Sequence, residues 1–195
     1  MGQETLVSAL NAAFGAGGRS EKPNAKASAG LDMATLSIDP ADVLAVFDIL
    51  KNDAEFSFEQ LSYVTATDES DANIFDLHEN AKEGTPRFRI VYFLYSFKNN
   101  VRVKVETRVA ESDEPVIESC TKLFAGANWM EREIFDMFGI RFSGHPELRR
   151  ILMPEEYIYF PLRKDFPLEG IEPDRLYRNW ESARAAEHGA DSAPH

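Results

Sequence analysis

The stretch that decides the fold runs from Gly126 to Gly170 and reads GANWMEREIFDMFGIRFSGHPELRRILMPEEYIYFPLRKDFPLEG. Its first part predicts a helix, because large apolar side chains recur at the spacing of one helical face: Met130, Ile134, Met137 and Phe138. Asn128 is a suitable N-cap, and Glu131 three residues later completes a capping box. Gly139 follows the last periodic residue and predicts a left-handed C-cap.

Charged residues occupy the other positions of this helix: Glu131, Arg132, Glu133 and Asp136. Arg132 and Asp136 are one helical turn apart, so we expect them to pair with each other. With His145, the acidic residues could instead hold a divalent metal or act as an acid–base pair. Glu131 and Glu133 point about 200° apart on a helix, so ion pairing is the favoured interpretation.

After Gly139 the sequence is no longer typical of a helix, because prolines recur every six to eight residues. Leu148–Met153 predicts a short strand, and Pro161–Leu168 predicts an extended arm. Such an arm has too few apolar anchors to bury itself, so we expect it to lie on a partner. Its basic pairs are then predicted to form salt bridges between subunits, because arginine is favoured at interfaces. These pairs are Arg149-Arg150 and Arg163-Lys164.

The order and spacing of these residues resemble the C subunit of NADH-quinone oxidoreductase, the thirty-kilodalton subunit family of respiratory complex I. The strong match covers Gly126–Gly170, and a weaker match of pattern reaches back to about Pro40. The resemblance implies a set of signature and interface residues: Glu131, Arg132, Glu133, Asp136, Gly139, His145, Pro146, Arg149, Arg150, Pro161, Arg163, Lys164, Asp165, Phe166 and Pro167.

The resemblance implies a non-catalytic, peripheral-arm subunit of a proton-translocating NADH:quinone oxidoreductase. In that family electrons pass from NADH through FMN and Fe–S clusters to quinone, and the resemblance places these cofactors in partner subunits. The implied partner is the forty-nine-kilodalton-like D subunit, which helps form the quinone site. The implied location is the cytoplasmic side of the inner membrane, reached only through the complex.

Two alternatives stay open. Membrane-bound hydrogenases and ferredoxin-linked complexes use equivalent subunits, and their electron donor is chosen by other chains. A free-standing metal-dependent enzyme would use the acidic cluster of the signature helix.

Bulk composition limits the partners further. The 195 residues carry a formal net charge of −12, which disfavours binding to nucleic acid or anionic lipid. Cys120 is the only cysteine in the sequence, so the chain cannot hold an Fe–S cluster alone. The sequence contains no Gly-rich phosphate loop, so we expect neither NADH nor flavin to bind this chain.

The remaining pattern predicts an α+β fold, in which a two-layer domain with a mixed β-sheet packed by helices precedes the arm. Asp39 and Pro40 predict a helix start, followed by an apolar face of Val43, Val46, Phe47 and Leu50. Strands are predicted at Leu61–Thr67, Ile74–Leu77, Phe88–Phe97 and Val101–Val109, the last two as a hairpin with Phe88–Phe97 as a central strand.

Three segments are predicted along the chain. Residues 1–35 form a flexible N-terminal segment, with a linker over Gly15–Ala34. Before the linker, the spacing of Leu6, Leu10 and Phe14 allows a short amphipathic helix. Residues 36–155 form the α+β domain, and residues 156–195 form the partner-binding arm and a polar tail. A further helix is predicted to start at Asp113-Glu114-Pro115, with Cys120 on its core-facing side.

Overall fold

The computed structural model describes residues 2–14, 23, 25–70, 86–110, 112 and 114–170. The strand predicted at Ile74–Leu77 and the polar tail after Gly170 lie outside these residues. The described elements are, in chain order, α1 (Gln3–Phe14), β1 (Ala25–Ala29), β2 (Ala34–Ile38), a 3-10 turn (Pro40–Asp42), α2 (Val43–Asn52), β3 (Gln60–Asp68), β4 (Pro86–Ser96), β5 (Val101–Ala110), β6 (Val116–Glu118), α3 (Ala127–Phe138) and β7 (Arg141–Ser143).

Five strands form the main sheet in the order β1-β2-β5-β4-β3. Neighbours are antiparallel except β2 and β5, which are parallel, so the sheet is mixed as predicted. The predicted hairpin is confirmed, because Ser96 pairs with Val101 across the turn that joins β4 to β5. Strand β4 is paired on both sides and is therefore internal.

The domain has two layers, because the helices pack on one face of the main sheet. Along β5, Val103 and Val105 are fully buried on this inner face, and the residues that alternate with them, such as Lys104 and Glu106, are charged. Phe47 of α2 meets Tyr92 of β4 edge-on, with ring centroids 4.8 Å apart. Phe138 of α3 meets Phe88 of the same strand. The predicted α+β, two-layer class is confirmed.

The start of α2 follows the predicted signals. The Asp39 side chain accepts a hydrogen bond from Ala41 N at 3.0 Å, and Pro40 opens the 3-10 turn that leads into the helix. The predicted apolar face is fully buried and consists of Val43, Val46, Phe47 and Leu50. Local capping chemistry therefore positions this helix over the sheet.

The described part of the N-terminal segment is structured, which corrects the prediction of a flexible segment. Leu6, Leu10 and Phe14 of α1 belong to the core. The Asn11 side chain accepts from Ala27 N at 2.9 Å and donates to Ala27 O at 3.0 Å, so α1 caps the free edge of β1. The linker predicted over Gly15–Ala34 is therefore wrong within that range for Ala25–Ala29, where small alanines gave little strand signal.

The helix predicted to start at Asp113-Glu114-Pro115 is also wrong. Val116–Glu118 is strand β6, which pairs in parallel with β7. Two β-branched residues after a proline favour an extended backbone, and the pairing strand lies more than twenty residues later in the chain. Cys120 is fully buried, as predicted, although it lies in a turn.

Candidate interaction site around helix α3

Glu131 points into the protein instead of capping α3. It is 0% exposed, and its carboxylate accepts hydrogen bonds from Ser119 Oγ at 2.6 Å and from Cys120 N at 2.8 Å. Burial raises the pKa of Glu131, and the hydrogen bonds from Ser119 and Cys120 oppose that shift. The predicted capping box is therefore wrong, and α3 begins after Gly126 without a side-chain cap.

Arg132 is nearly buried and binds the loop that follows β7. Its Nε donates to Arg149 O at 3.1 Å, and its Nη2 donates to Arg150 O at 3.3 Å. The guanidinium also lies over the ring of Trp129, 4.8 Å from the centroid. The predicted pair with Asp136 is wrong, because Arg132 instead holds two backbone carbonyls of residues 149–150.

Asp136 is fully buried and organises the next part of the same loop. Its Oδ2 accepts from the backbone N of Ile151, Leu152 and Met153 at 3.1, 2.7 and 2.9 Å. Its Oδ1 accepts from Arg150 Nη1 at 2.5 Å. Burial raises the pKa of Asp136, but these donors outweigh it and lower the pKa below the ordinary value. The strand predicted at Leu148–Met153 is therefore wrong, because its N–H groups bind a carboxylate.

The C-terminal end of α3 is capped by the segment that follows β7. An α-helix leaves its last four carbonyls without intrahelical partners, and cations are favoured beside them. Here all four are satisfied, and two of the donors are guanidinium groups. From Phe135 O to Phe138 O the donors are Gly139 N, Arg150 Nη1, Leu162 N and Arg163 Nε.

Gly139 ends α3 as predicted, with φ of 75°. A Cβ at this position would lie 2.7 Å from Arg163 Nη2 and from carbons of the Phe160 ring. The Arg163 guanidinium lies between the rings of Phe160 and Phe88, 4.6 and 5.3 Å from their centroids. Glycine is thus required both by the backbone conformation and by this close approach.

A second cluster anchors the segment to the main sheet. Asp68 at the end of β3 pairs with Arg87 of β4 at 2.8 Å, and Arg87 also reaches Asp165 at 3.0 Å. The backbone N of Lys164 donates to the same Asp68 carboxylate at 2.9 Å. Burial raises the pKa of Asp68, but hydrogen bonds from Arg87, Lys164 and Ser70 outweigh it and lower the pKa to about 2. Asp68 and Arg87 were not among the predicted site residues, because their pairing is visible only across the strands.

These anchors correct the prediction of an extended arm. Residues 161–168 form successive turns, in which Arg163 N donates to Phe160 O and Phe166 N donates to Arg163 O. Arg150 binds a carboxylate and Arg163 a carbonyl of their own chain, and the salt bridges to a partner stay a prediction. The segment is held to its own chain by polar anchors that its apolar content did not reveal.

The other signature residues are less buried. His145 Nδ1 accepts from Glu147 N at 3.0 Å, so its Nε2 carries the proton and donates to Asn128 O at 3.1 Å. Arg149 pairs with Glu147 at 3.0 Å, and both side chains are more than half exposed. Glu133 and Phe166 are partly exposed; Pro146, Lys164 and Pro167 are exposed, and Pro161 is partly exposed.

The carboxylates of α3 do not converge on one site. Glu131 faces Ser119 and Cys120, whereas Asp136 faces residues 150–153. The metal or acid–base cluster considered from the sequence is therefore divided between two sides of the helix.

The segment from Leu148 to Gly170 turns apolar side chains outward. Leu152, Ile158, Leu162 and Leu168 are 64%, 73%, 55% and 90% exposed, and Trp129 of α3 is 63% exposed. We call these five side chains the C-terminal apolar surface. Isolated exposed leucines are ordinary, but several exposed apolar side chains on one anchored segment make this segment the candidate interaction site of the chain.

The fold and this site are those of a small α+β domain in which residues 148–170 are anchored to α3 and to the main sheet. A family model described as "Respiratory-chain NADH dehydrogenase, 30 Kd subunit" matches residues 36–172. The C subunit of NADH-quinone oxidoreductase from Coxiella burnetii is 35% identical over 187 residues, which cover 86% of this chain and 79% of that protein. The mitochondrial NADH-ubiquinone oxidoreductase 30.4 kDa subunit of Neurospora crassa is 42% identical over 172 residues, 80% of this chain and 56% of that protein. The chain therefore belongs to the thirty-kilodalton subunit family of the respiratory-chain NADH dehydrogenase, as the resemblance predicted.

Two solved structures have a similar fold. The trypsin-resistant fragment of Nqo5 aligns with a TM-score of 0.50 and 26% identity, covering 64% of this chain and 89% of the fragment. A chain of the membrane-bound sulfane sulfur reductase, an archaeal respiratory membrane complex, aligns with a TM-score of 0.63 over 91% of both chains. Its identity of 20% makes that likeness one of fold alone. No helix within the described residues is long and apolar enough to cross a membrane.

Proposed function

We propose that this chain is a non-catalytic subunit of the peripheral arm of a proton-translocating NADH:quinone oxidoreductase. Its family and the names of its relatives support membership in that enzyme. In this proposal FMN, Fe–S clusters and quinone are bound by partner subunits. The chain supports electron transfer by packing against the forty-nine-kilodalton-like D subunit, on the cytoplasmic side of the inner membrane.

The C-terminal apolar surface is the observation that carries this proposal. Its backbone is held by buried groups of α3 and of the main sheet, so the backbone of the segment need not be ordered when a partner binds. Burying one leucine side chain contributes about 1.5–3 kcal/mol. Three or four such side chains are therefore enough to dominate the energetics of a docking contact.

The experiment replaces Leu162 and Leu168 by serine in the full chain and measures the yield of assembled complex in cells. Because both side chains are exposed, the isolated variant should keep the melting temperature of the wild type. We expect the assembled fraction to fall at least about tenfold, since two apolar contacts are lost.

Leu31→Ser is the matched control, because Leu31 is 103% exposed in the turn between β1 and β2. It should leave assembly unchanged. Normal assembly of the Leu162→Ser, Leu168→Ser variant would show that the C-terminal apolar surface does not contribute to docking in the complex. Recovery of the chain with a nickel–iron hydrogenase subunit would keep the docking role but assign the chain to the alternative complex.

A further inference from the structure

The outer face of the main sheet, opposite the three helices, carries charge of the opposite sign to the chain as a whole. Strand register and burial place five cationic and two anionic side chains on this face, a formal charge of +3 in a chain of −12. The cations are Lys26, Arg89, Arg102, Lys104 and Arg108, and the anions are Glu69 and Glu106.

The two carboxylates lie within the cationic set and pair with part of it. Glu69 is 2.8 Å from Arg89 and 3.2 Å from Arg108, and Glu106 is 3.5 Å from Lys104. Lys26 and Arg102 make no ion pair with any described residue. The excess positive charge is therefore concentrated towards the end of the face where β5 begins and along β1.

Aromatic side chains run between these charges. Phe93 and Tyr95 lie on the outer side of β4, Phe97 follows directly after that strand, and Tyr63 of β3 is directly opposite Phe93. Tyr63 is 45% exposed and Phe97 is 63% exposed. The Phe97 ring meets Tyr95 edge-on at 4.9 Å, and Arg102 lies 5.9 Å from the Tyr95 ring. At this end of the sheet Tyr95 and Arg102 also line a groove of about 440 Å³, which Gln3 of α1 and Asp32 close on the other side.

We infer that this outer sheet face is a second docking surface, which binds an acidic protein surface through Tyr63, Phe93, Lys26 and Arg102. This face combines exposed aromatic rings with cations that have no ion pair within the described chain. Such a combination is typical of a binding surface rather than of a sheet face that only contacts water. Complementary charge selects an acidic partner and excludes a second copy of the same basic face.

A protein partner is favoured over nucleic acid. Glu106 lies on the central strand β5, and Glu69 follows the end of the edge strand β3, so phosphates that cross the face would meet both carboxylates. The net charge of −12 also repels a polyanion at long range. An acidic protein surface can place its carboxylates at Lys26 and Arg102 and present apolar groups to the rings.

The test places a photo-crosslinking phenylalanine analogue at Tyr63 in the full chain, in cells that assemble it, and identifies the crosslinked peptide. We expect a peptide of another protein that carries net negative charge. The same probe at Val116, which is 50% exposed on β6, should not crosslink to that peptide.

Charge reversal then tests the chemistry. Lys26→Glu with Arg102→Glu leaves the ion pairs of the face intact and should lower the crosslink yield about tenfold. Lys122→Glu, a lysine before α3 and away from this face, is the control for charge alone and should have no effect. If the double variant does not fold, raising the salt concentration with the unmodified charges should lower the yield in the same way.

Four outcomes overturn the inference. They are a crosslink to nucleic acid, a crosslink to a second copy of this chain, a crosslink to a basic peptide, and no crosslink from Tyr63 at all. None of these outcomes bears on the C-terminal apolar surface, because that surface belongs to a different part of the chain.

Discussion

Replacing Asp136 by asparagine should loosen residues 148–170 from helix α3. The Asp136 carboxylate is fully buried and accepts three backbone N–H bonds and one Arg150 bond. Asparagine keeps one acceptor oxygen, but its amide N–H₂ group must face another donor. The substitution also leaves the Arg150 guanidinium, of which 9% is exposed, without its counter-charge.

Breaking a buried ion pair by removing one partner costs about 3–5 kcal/mol. Arg150 keeps two carbonyl acceptors, Asp136 O and Tyr159 O, so we expect the lower end, about 3 kcal/mol. That loss is a large part of the stability of a typical domain, about 5–15 kcal/mol. Urea unfolding followed by circular dichroism measures it, and hydrogen exchange at residues 151–153 should rise by about two orders of magnitude.

Asp165→Asn is the matched control. Its carboxylate is 53% exposed, and Arg87 keeps Asp68 as a partner, so the expected loss is below about 1 kcal/mol. If Asp136→Asn costs no more than this control, and exchange at residues 151–153 is unchanged, then Asp136 does not organise the segment and the anchoring argument is refuted.

Three further predictions concern the same network. Gly139→Ala should lower the melting temperature of the chain more than Gly144→Ala does. Both glycines have a positive φ, which costs an alanine about 1–2 kcal/mol. Only the Cβ added at Gly139 would also collide with neighbouring atoms. Asp68 has a folded pKa of about 2, below its ordinary 3.8, so its ionised form should contribute about 2 kcal/mol of stability above pH 4, which is lost as the pH falls through 2. Asp68→Asn should therefore weaken the chain more at pH 7 than at pH 2, and equal losses of unfolding free energy at both pH values would exclude this pH dependence. Glu131 has a raised pKa in the folded state, so the stability of the wild type should decrease as the pH rises from 4.5 through the folded pKa. Glu131→Gln should lack this decrease when urea unfolding is measured as a function of pH. The same pH dependence in the variant as in the wild type would contradict the raised pKa of Glu131.

Elements with local signals were predictable from the sequence. Asp39 and Pro40 supply the cap and first-turn chemistry of α2 within three residues. Val101–Val109 alternates strictly between apolar and polar residues, which sets the buried face of β5 and its pairing with β4. In both cases the residues that determine the structure are neighbours in the chain.

The charged residues of α3 show why the site itself was harder to predict. The end of this helix at Gly139 follows from periodicity, whereas its start at Ala127 lies before the predicted N-cap Asn128. However, Glu131 meets Ser119 and Cys120, and Asp136 meets residues 150–153, so the partners lie before and after the helix. Helical spacing reveals only neighbours one turn away, which led to the incorrect pair of Arg132 with Asp136.

The segment after β7 is held by polar anchors rather than by an apolar pattern. Arg163 binds a helix-end carbonyl and two rings, and Lys164 N reaches Asp68 almost a hundred residues earlier in the chain. Such contacts have no periodicity, so the sequence predicted an extended arm. The same contacts explain how a segment with exposed leucines keeps one conformation.

Purification of the tagged full chain from gently solubilised membranes tests the central claim most directly. We expect flavin- and Fe–S-containing subunits to co-purify with the chain, the forty-nine-kilodalton-like D subunit to be among them, and the eluate to oxidise NADH with quinone as acceptor. Recovery of the wild-type chain alone, without partners and without NADH:quinone activity, would contradict the proposed role as a docked subunit of this enzyme.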